Sequence, residues 1–362
     1  MFMTTMEKPY IIAGPCSVES QQQLQEVCRE LCSMPHVRMI RAGVWKPRTR
    51  PGGFEGLGEP ALRWMKEIAD SGMRMSDGSP VRFCCEVARP EHVELCLHYG
   101  IDTVWLGART TANPFMVGEI GDALRGSGLK VMVKNPVCPD VRLWIGAIER
   151  LQQVGIEQIA AVHRGFSMYN NHGYRNDPLW EVAMQLRRLL PDTPILCDPS
   201  HIGGRRDVIA PLSVAAMQLD YDGLMVEVHP SPDEAWTDGG QQLTPAEFKQ
   251  LLSKIIPDSQ NSTPHQSNTL LEPMRRQIDN IDHEVIRLLW QRMELSRHIA
   301  EVKRDFRMPV YQPQRWEAVL ADRLNKAADL GMDTEFVKDI LERIHGESMR
   351  VQMEQPTDDN GQ

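Results

Sequence analysis

Apolar runs long enough to cross a membrane are missing from this 362-residue chain, which excludes a helical membrane protein. Its first residues, MFMTTMEKPY, lack the apolar core of a secretory signal. Cysteine is confined: all eight lie between Cys16 and Cys197, no C-x-x-C spacing occurs, and the adjacent Cys84 and Cys85 are poorly placed for an ordinary disulfide. These absences predict a cytoplasmic protein whose cysteines are reduced and, Cys16 apart, simply buried. Positive charge is also short, with 40 Lys and Arg against 49 Asp and Glu and a net charge of −9. That balance argues against a nucleic-acid binder and sets any local cluster of cations against the overall field.

What is present is a short apolar run that recurs eight times with different endings: YIIAGPCS, RMIRAGVWKPR, VRFCCEV, TVWLGAR, KVMVKN, IAAVHRG, PILCDPSH and GLMVEVHP. Helix-like stretches separate most of them. Eight buried strands alternating with helices predict an α/β fold, a closed parallel (β/α)8 TIM barrel. The length suits such a barrel plus something smaller. In this fold the working groups sit at the C-terminal ends of the strands. Those ends carry Cys16, Lys46, Arg48, Arg109, Lys134, Arg164, His201 and Glu227, with Asp238 in the loop after the last strand.

A thiolate, an imidazole and two carboxylates form a mixed soft and hard donor set. Cys16, His201, Glu227 and Asp238 therefore suit a divalent metal such as Mn2+, Fe2+, Co2+ or Zn2+ better than Mg2+ or Ca2+. His229, two residues after Glu227, is placed behind the ligands at most. In Lys46-Pro47-Arg48-Thr49, proline holds the preceding residue extended, so Lys46 and Arg48 point to one spot. Paired cations at the end of an apolar strand suit a phosphate or carboxylate, and Arg109, Lys134 and Arg164 extend the same logic.

AGPCSVES, KPRTRPGGFEGLG, WLGART, VKNP, HRGF, CDPSHIGGRRD and EVHPSPDEAWTDGGQQLT occur in order from about Tyr10 to Leu252. Together they resemble 3-deoxy-D-arabino-heptulosonate 7-phosphate (DAHP) synthase of the type I-beta group. The resemblance implies condensation of phosphoenolpyruvate with erythrose 4-phosphate. It assigns the metal to Cys16, His201, Glu227 and Asp238, and phosphoenolpyruvate to Lys46, Arg109, Lys134 and Arg164. The aldose phosphate falls to Arg48 and Thr49. Octulosonate 8-phosphate synthases, the nearest relatives, typically show KANR where this chain has KPRT, so the shorter sugar is expected. Arg50 stands where serine is frequent. The ferredoxin-like regulatory domain that precedes the barrel in some members is not expected in this sequence, whose first strand is expected near Tyr10.

The polar stretch 257–269, PDSQNSTPHQSNT, reads as a linker that closes a barrel domain spanning residues 1–256. After it, helical periodicity takes over through residues 270–353, and residues 354–362 read as a frayed tail. Met274, Ile278, Ile281, Val285, Leu288, Leu295, Ile299 and Val302 form a coiled-coil-like stripe in which Arg292 occupies the one missing position. A guanidinium there needs an anion or must reach out to solvent. Lys303 lies near the face of Arg292, whereas Arg275 is about 100° away around the helix and points to a different partner, such as a second subunit's site. Pro309 and Pro313 separate a second helix that carries Arg315, and a third places Ser348 and Gln352 on one face. These spacings alone fit either a dimerisation module or a ligand site.

MRRQIDNID, QRMELSRHIAEVK, PVYQPQR and ESMRVQ, from about Leu270 to Gln352, resemble the all-helical chorismate mutase family, an intertwined three-helix dimer. The resemblance implies that chorismate is rearranged to prephenate. By the same resemblance Arg275 is expected to reach the partner's site, Arg292 and Arg315 to bind carboxylates, and Ser348 to add a carboxylate contact. Lys303 and Gln352 are expected to bond the ether oxygen. The reaction is pericyclic, so the site must hold a dianion compactly and stabilise charge on the breaking ether bond. An acid is frequent at the Gln312 position. A Glu or Gln that bonds the substrate hydroxyl is usual at the Trp316 position. The whole chain is thus expected to be a bifunctional homo-oligomer, dimeric through its helices with a tetramer as the larger alternative. The helical domain is expected to sense chorismate or prephenate for the barrel. A non-catalytic helical module and an octulosonate-forming barrel are the rival expectations.

Overall fold

The computed structural model describes residues 8–46, 52–168, 173–256 and 264–354, with side chains of the last stretch from Met274 onward. The chain divides between Ser259 and Gln260 into two compact units. In the first, the eight apolar runs form the strands Tyr10–Gly14 (β1), Val37–Arg41 (β2), Phe83–Val87 (β3), Thr103–Leu106 (β4), Lys130–Lys134 (β5), Ile159–His163 (β6), Ile195–Cys197 (β7) and Gly223–Glu227 (β8). They pair in parallel in sequence order, and β8 returns to β1 to close the barrel, Tyr10 opposite Gly223 through Gly14 opposite Glu227.

Alternation along each strand sorts the side chains into two cores. Ile11, Ala13, Ile40, Val131, Val133 and Val226 point outward and pack under the helices. Ile12, Met39, Cys84, Trp105, Met132, Val162, Leu196 and Met225 point inward and fill the barrel. The helices around the barrel bury one apolar stripe each. Pro245–Ile255, for example, opens on a Thr244–Glu247 capping box and buries Phe248, Leu251, Leu252 and Ile255.

The second unit holds three helices, Pro264–Asp305, Pro313–Asp329 and Thr334–Met353. The first begins inside the stretch read as a linker. Proline is tolerated in a first helical turn because its missing N–H has no partner there, and residues 257–263 lie outside the described residues. The third helix opens on Asp333, whose carboxylate accepts from the Glu335 and Phe336 backbone N–H groups. Among the described residues of this unit only Ser296, Ala300, Ala327, Ser348 and Val351 are buried. The stripe of the long helix is open, with Leu288 50% and Leu295 62% exposed. Residues 355–362 of the expected tail lie outside the described residues. No helix among the described residues is long and apolar enough to cross a membrane.

Candidate active sites

The floor of the barrel site follows from the same alternation. Two residues beyond six of the eight inward apolar side chains, the next inward position is polar: Arg41 after Met39, Glu86 after Cys84, Lys134 after Met132, Arg164 after Val162, Asp198 after Leu196 and Glu227 after Met225, whereas glycine follows Ile12 and Trp105. Four of these groups neutralise one another in pairs. Arg41 Nη2 lies 3.0 Å from Glu227 Oε1, and Lys134 Nζ lies 2.8 Å from Asp198 Oδ2, all four side chains being almost wholly buried. Arg41 and Lys134 also lie over the Trp105 ring, 5.2 and 5.6 Å from its centroid. The indole Nε1 donates to Glu86 Oε2 at 3.0 Å.

Above this floor is a cavity of about 200 Å³ lined by Lys46, Arg109, Lys134, Arg164, His201 and Asp238, all expected from sequence, together with Glu86 and Arg175. Gly43 and Gly107 permit the close approaches that shape it. A Cβ on Gly43 would stand 1.9 Å from the Cys16 carbonyl oxygen, and one on Gly107 would stand 2.3 Å from Glu86 Oε1. Burial pulls the Arg164 pKa down to about 10, with Arg175 and Arg109 adding to the shift and Asp198 opposing it. Arg48, Thr49 and Arg50 lie outside the described residues, so the convergence of Lys46 and Arg48 is not part of this geometry.

The four metal-donor candidates stand as two pairs. Cys16 Sγ is 3.5 Å from Asp238 Oδ2, and His201 Nε2 is 3.8 Å from Glu227 Oε1. Among the described residues no three His, Cys, Asp or Glu side chains already share one point. Lys46 Nζ donates to Cys16 Sγ at 2.9 Å. Burial pushes the Cys16 thiol up to about 12, with Glu227 adding to it and Lys46 opposing. Burial opposes ionisation of Asp238, yet Arg175, Lys46 and His201 hold its carboxyl down to about 2. Glu227 is likewise held below its ordinary value, against burial, by His201, Arg41 and Lys46. Burial lowers the His201 pKa, leaving a neutral imidazole.

Supporting contacts orient these donors. Asp198 Oδ2 lies 2.8 Å from His201 Nδ1, Gln241 Nε2 donates to Glu227 Oε2 at 2.6 Å, and Arg175 Nη1 donates to Asp238 Oδ1 at 3.0 Å. Among the described residues no aligned hydrogen-bond donor reaches the buried Glu227 Oε1, the Arg41 guanidinium being near but not directed at it. A buried carboxylate oxygen in that state, beside a neutral imidazole, a thiol and a second carboxylate, fits a divalent cation. His229 turns away: its Nε2 is 3.4 Å from Glu19 Oε2, and its Nδ1 accepts from the Ser231 backbone.

In the helical unit, Arg292 Nη1 donates to Ser348 Oγ and to the Ile344 carbonyl. Lys303 Nζ donates to Gln352 Oε1 at 2.9 Å and to the Val310 carbonyl at 2.7 Å. Because Gln352 accepts through its oxygen, its amide NH2 remains to donate. Arg315 lies in a neighbouring hollow with Tyr311 and Gln312. Arg275 is seventeen residues before Arg292 on the same helix, about 26 Å along its axis, and is not brought to this cluster.

Sequence reasoning missed Arg41, Glu86, Asp198, Arg175 and Gln241. The first three carried a signal, the period of two extended through the apolar run. The last two come from a loop and a single 3-10 turn.

The profile of the DAHP synthetase I family matches residues 3–262, and that of chorismate mutase type II matches residues 274–353. A phospho-2-dehydro-3-deoxyheptonate aldolase of Thermotoga maritima is 34% identical over 246 residues, 68% of this chain and 68% of that protein. A solved structure of a DAHP synthase from the same organism superposes with a TM-score of 0.59 at 32% identity, covering 68% of this chain and 67% of that one. The helical unit is similar to the T-protein of Enterobacter agglomerans, 37% identical over 78 residues, which are 22% of this chain and 21% of that protein. These matches favour the heptulosonate over the octulosonate reading of the barrel. The chain belongs to the DAHP synthetase I family and carries, beyond its barrel, a chorismate mutase type II domain, so that transferase and isomerase are joined in one polypeptide.

Proposed function

We propose that the cavity at the C-terminal end of the barrel binds phosphoenolpyruvate on Lys46, Arg109, Lys134 and Arg164 and condenses it with erythrose 4-phosphate. The observation that carries this reading is the convergence of these four cations in one cavity with His201 and Asp238. Guanidinium and ammonium groups there match the phosphate and carboxylate of the enol ester. Arg109 and Arg164 fix its orientation while the enolpyruvate carbon attacks the aldehyde. Water then adds at the former enol carbon, and phosphate leaves with cleavage of its carbon–oxygen bond. Cys16, His201, Glu227 and Asp238 would hold a divalent metal, which would supply Lewis acidity toward the aldehyde. Asp198 holds the His201 ring and Gln241 holds Glu227. Phosphate release measured with erythrose 4-phosphate and with arabinose 5-phosphate tests the reading. A preference for the pentose phosphate would overturn it.

The helical domain rearranges chorismate to prephenate. Lys303 and the Gln352 NH2 are two donors for the ether oxygen, where negative charge develops. Arg292 and Arg315 receive the carboxylates, Ser348 helping to hold Arg292. The exposed stripe of the long helix supports pairing with a second copy, which would bring Arg275 of one copy to the site of the other. The same site is a sensor. Chorismate and prephenate lie downstream of the barrel's product, and a ligand that binds two states of the assembly unequally shifts their populations. Synthase rates measured with added prephenate, in the full chain and in Arg292→Ala, test this. Inhibition that survives the substitution would place the sensor elsewhere.

A further inference from the structure

One wall of the helical site is built from residues that neither the carboxylates nor the ether oxygen require. Trp316 on the second helix and His345 on the third stack face to face, with centroids 4.0 Å apart and planes within 8°. Tyr311 lies at the edge of the same group, 6.1 Å from the imidazole. His345 precedes Ser348 by three residues and Gln352 by seven. That spacing puts all three on one face of the helix, the face that Arg292 and Lys303 meet.

His345 Nε2 is buried and has no hydrogen-bond partner among the described residues. Such a nitrogen is costly to keep, and a bound ligand is one way to satisfy it. Burial, with the charges of Arg292 and Lys303 near, lowers the His345 pKa. The ring is therefore neutral near pH 7 and offers one donor and one acceptor. Trp316 has no acceptor at all, and its ring face is occupied by the imidazole. It cannot itself accept from a hydroxyl.

Chorismate carries two carboxylates, an ether bridge and one ring hydroxyl. The arginines, Ser348, Lys303 and Gln352 account for the first two kinds of group and leave the hydroxyl. We infer that His345 Nε2 is the hydrogen-bond partner of the substrate's ring hydroxyl and that Trp316 is the positioning residue that holds the imidazole there. This rests on the mutase reading of the helical domain.

The test uses the full-length protein with chorismate and with a chorismate analogue that lacks the ring hydroxyl. His345→Phe keeps an aromatic ring against Trp316 and removes the nitrogen. It is expected to lower kcat/KM for chorismate about tenfold and to leave the analogue's value unchanged. His345→Gln, which restores a polar group, is expected to recover most of the loss, and Trp316→Ala to lose nearly as much as His345→Phe. An equal loss on both substrates, or no loss on chorismate, would overturn the inference and make the stack a packing feature. Wild-type protein that turns over neither compound would overturn the mutase reading, and the inference with it. Circular dichroism of each variant separates these results from misfolding, and His345→Gln carries the substrate comparison if His345→Phe does not fold.

Discussion

Asp198 and Lys134 are joined at 2.8 Å where both side chains are almost wholly buried. The same carboxylate oxygen lies 2.8 Å from His201 Nδ1. One residue therefore ties a cation proposed for phosphoenolpyruvate to an imidazole proposed for the metal. Asp198→Ala would leave Lys134 buried without its counter-charge, a change that typically costs about 3–5 kcal/mol. The expected outcome is a destabilised barrel in urea denaturation and loss of synthase turnover. Asp198→Asn should recover part of the stability but little activity, because the amide carries no charge for Lys134.

Chelation should separate the two halves of the chain. The proposed metal donors belong to the barrel, whereas Arg292, Lys303, Arg315, Ser348 and Gln352 offer the mutase substrate donors of hydrogen bonds. Dialysis against EDTA is expected to abolish the synthase reaction and leave chorismate turnover in place. Readdition of Mn2+, Fe2+, Co2+ or Zn2+ should restore the first. Cys16→Ser is expected to retain less metal by elemental analysis than the parent protein.

The apolar stripe of the long helix gives a third expectation. A carboxylate at Leu295, 62% exposed in one chain, would be buried without a partner if a second copy packs on it. Leu295→Asp should therefore lower the mass seen by sedimentation and remove mutase activity together. If the mass falls and turnover stays, the partner contributes nothing to the site.

His163 makes the barrel sensitive to acid. It is buried among Trp144, Phe166, Trp180 and Tyr221, with Nδ1 2.8 Å from the Tyr221 hydroxyl. Burial lowers its pKa from 6.5 to about 3. Between those values the unfolded chain binds the extra proton, so stability is fully present above about pH 6.5 and is lost as pH falls toward 3. By pH 5 the loss from this one group is about 2 kcal/mol. Thermal unfolding followed from pH 7.5 to 5 should show it, with a shallower slope in His163→Gln.

The barrel was legible because each strand is an apolar run that stops abruptly, and the stops of β5 and β6 name Lys134 and Arg164 directly. Arg41 was not legible on that rule, since it lies inside RMIRAG and reads as an interruption. Only the alternation through Met39 shows that it faces inward, and Glu86 and Asp198 follow the same pattern. Arg175 sits in a loop and Gln241 in a single 3-10 turn, neither of which has a period to read, so their roles depend on tertiary placement. In the helical half, the gap at Arg292 in the apolar stripe marked a cation in need of a partner, but Ser348, which accepts from it, lies on another helix and was named only by resemblance. The Trp316–His345 stack joins residues 29 positions apart on different helices, and no spacing rule connects them.

The scarcity of buried side chains in the helical unit has a consequence for how the two activities respond to dilution. The cavity of the barrel is lined by residues of a single polypeptide, so its occupancy is a first-order property of each molecule. A site completed by another copy's helix obeys mass action between molecules. Below the dissociation constant of that pairing, synthase output per molecule would hold while mutase output per molecule fell with concentration. The ratio of the two rates would then report how much of the protein is assembled.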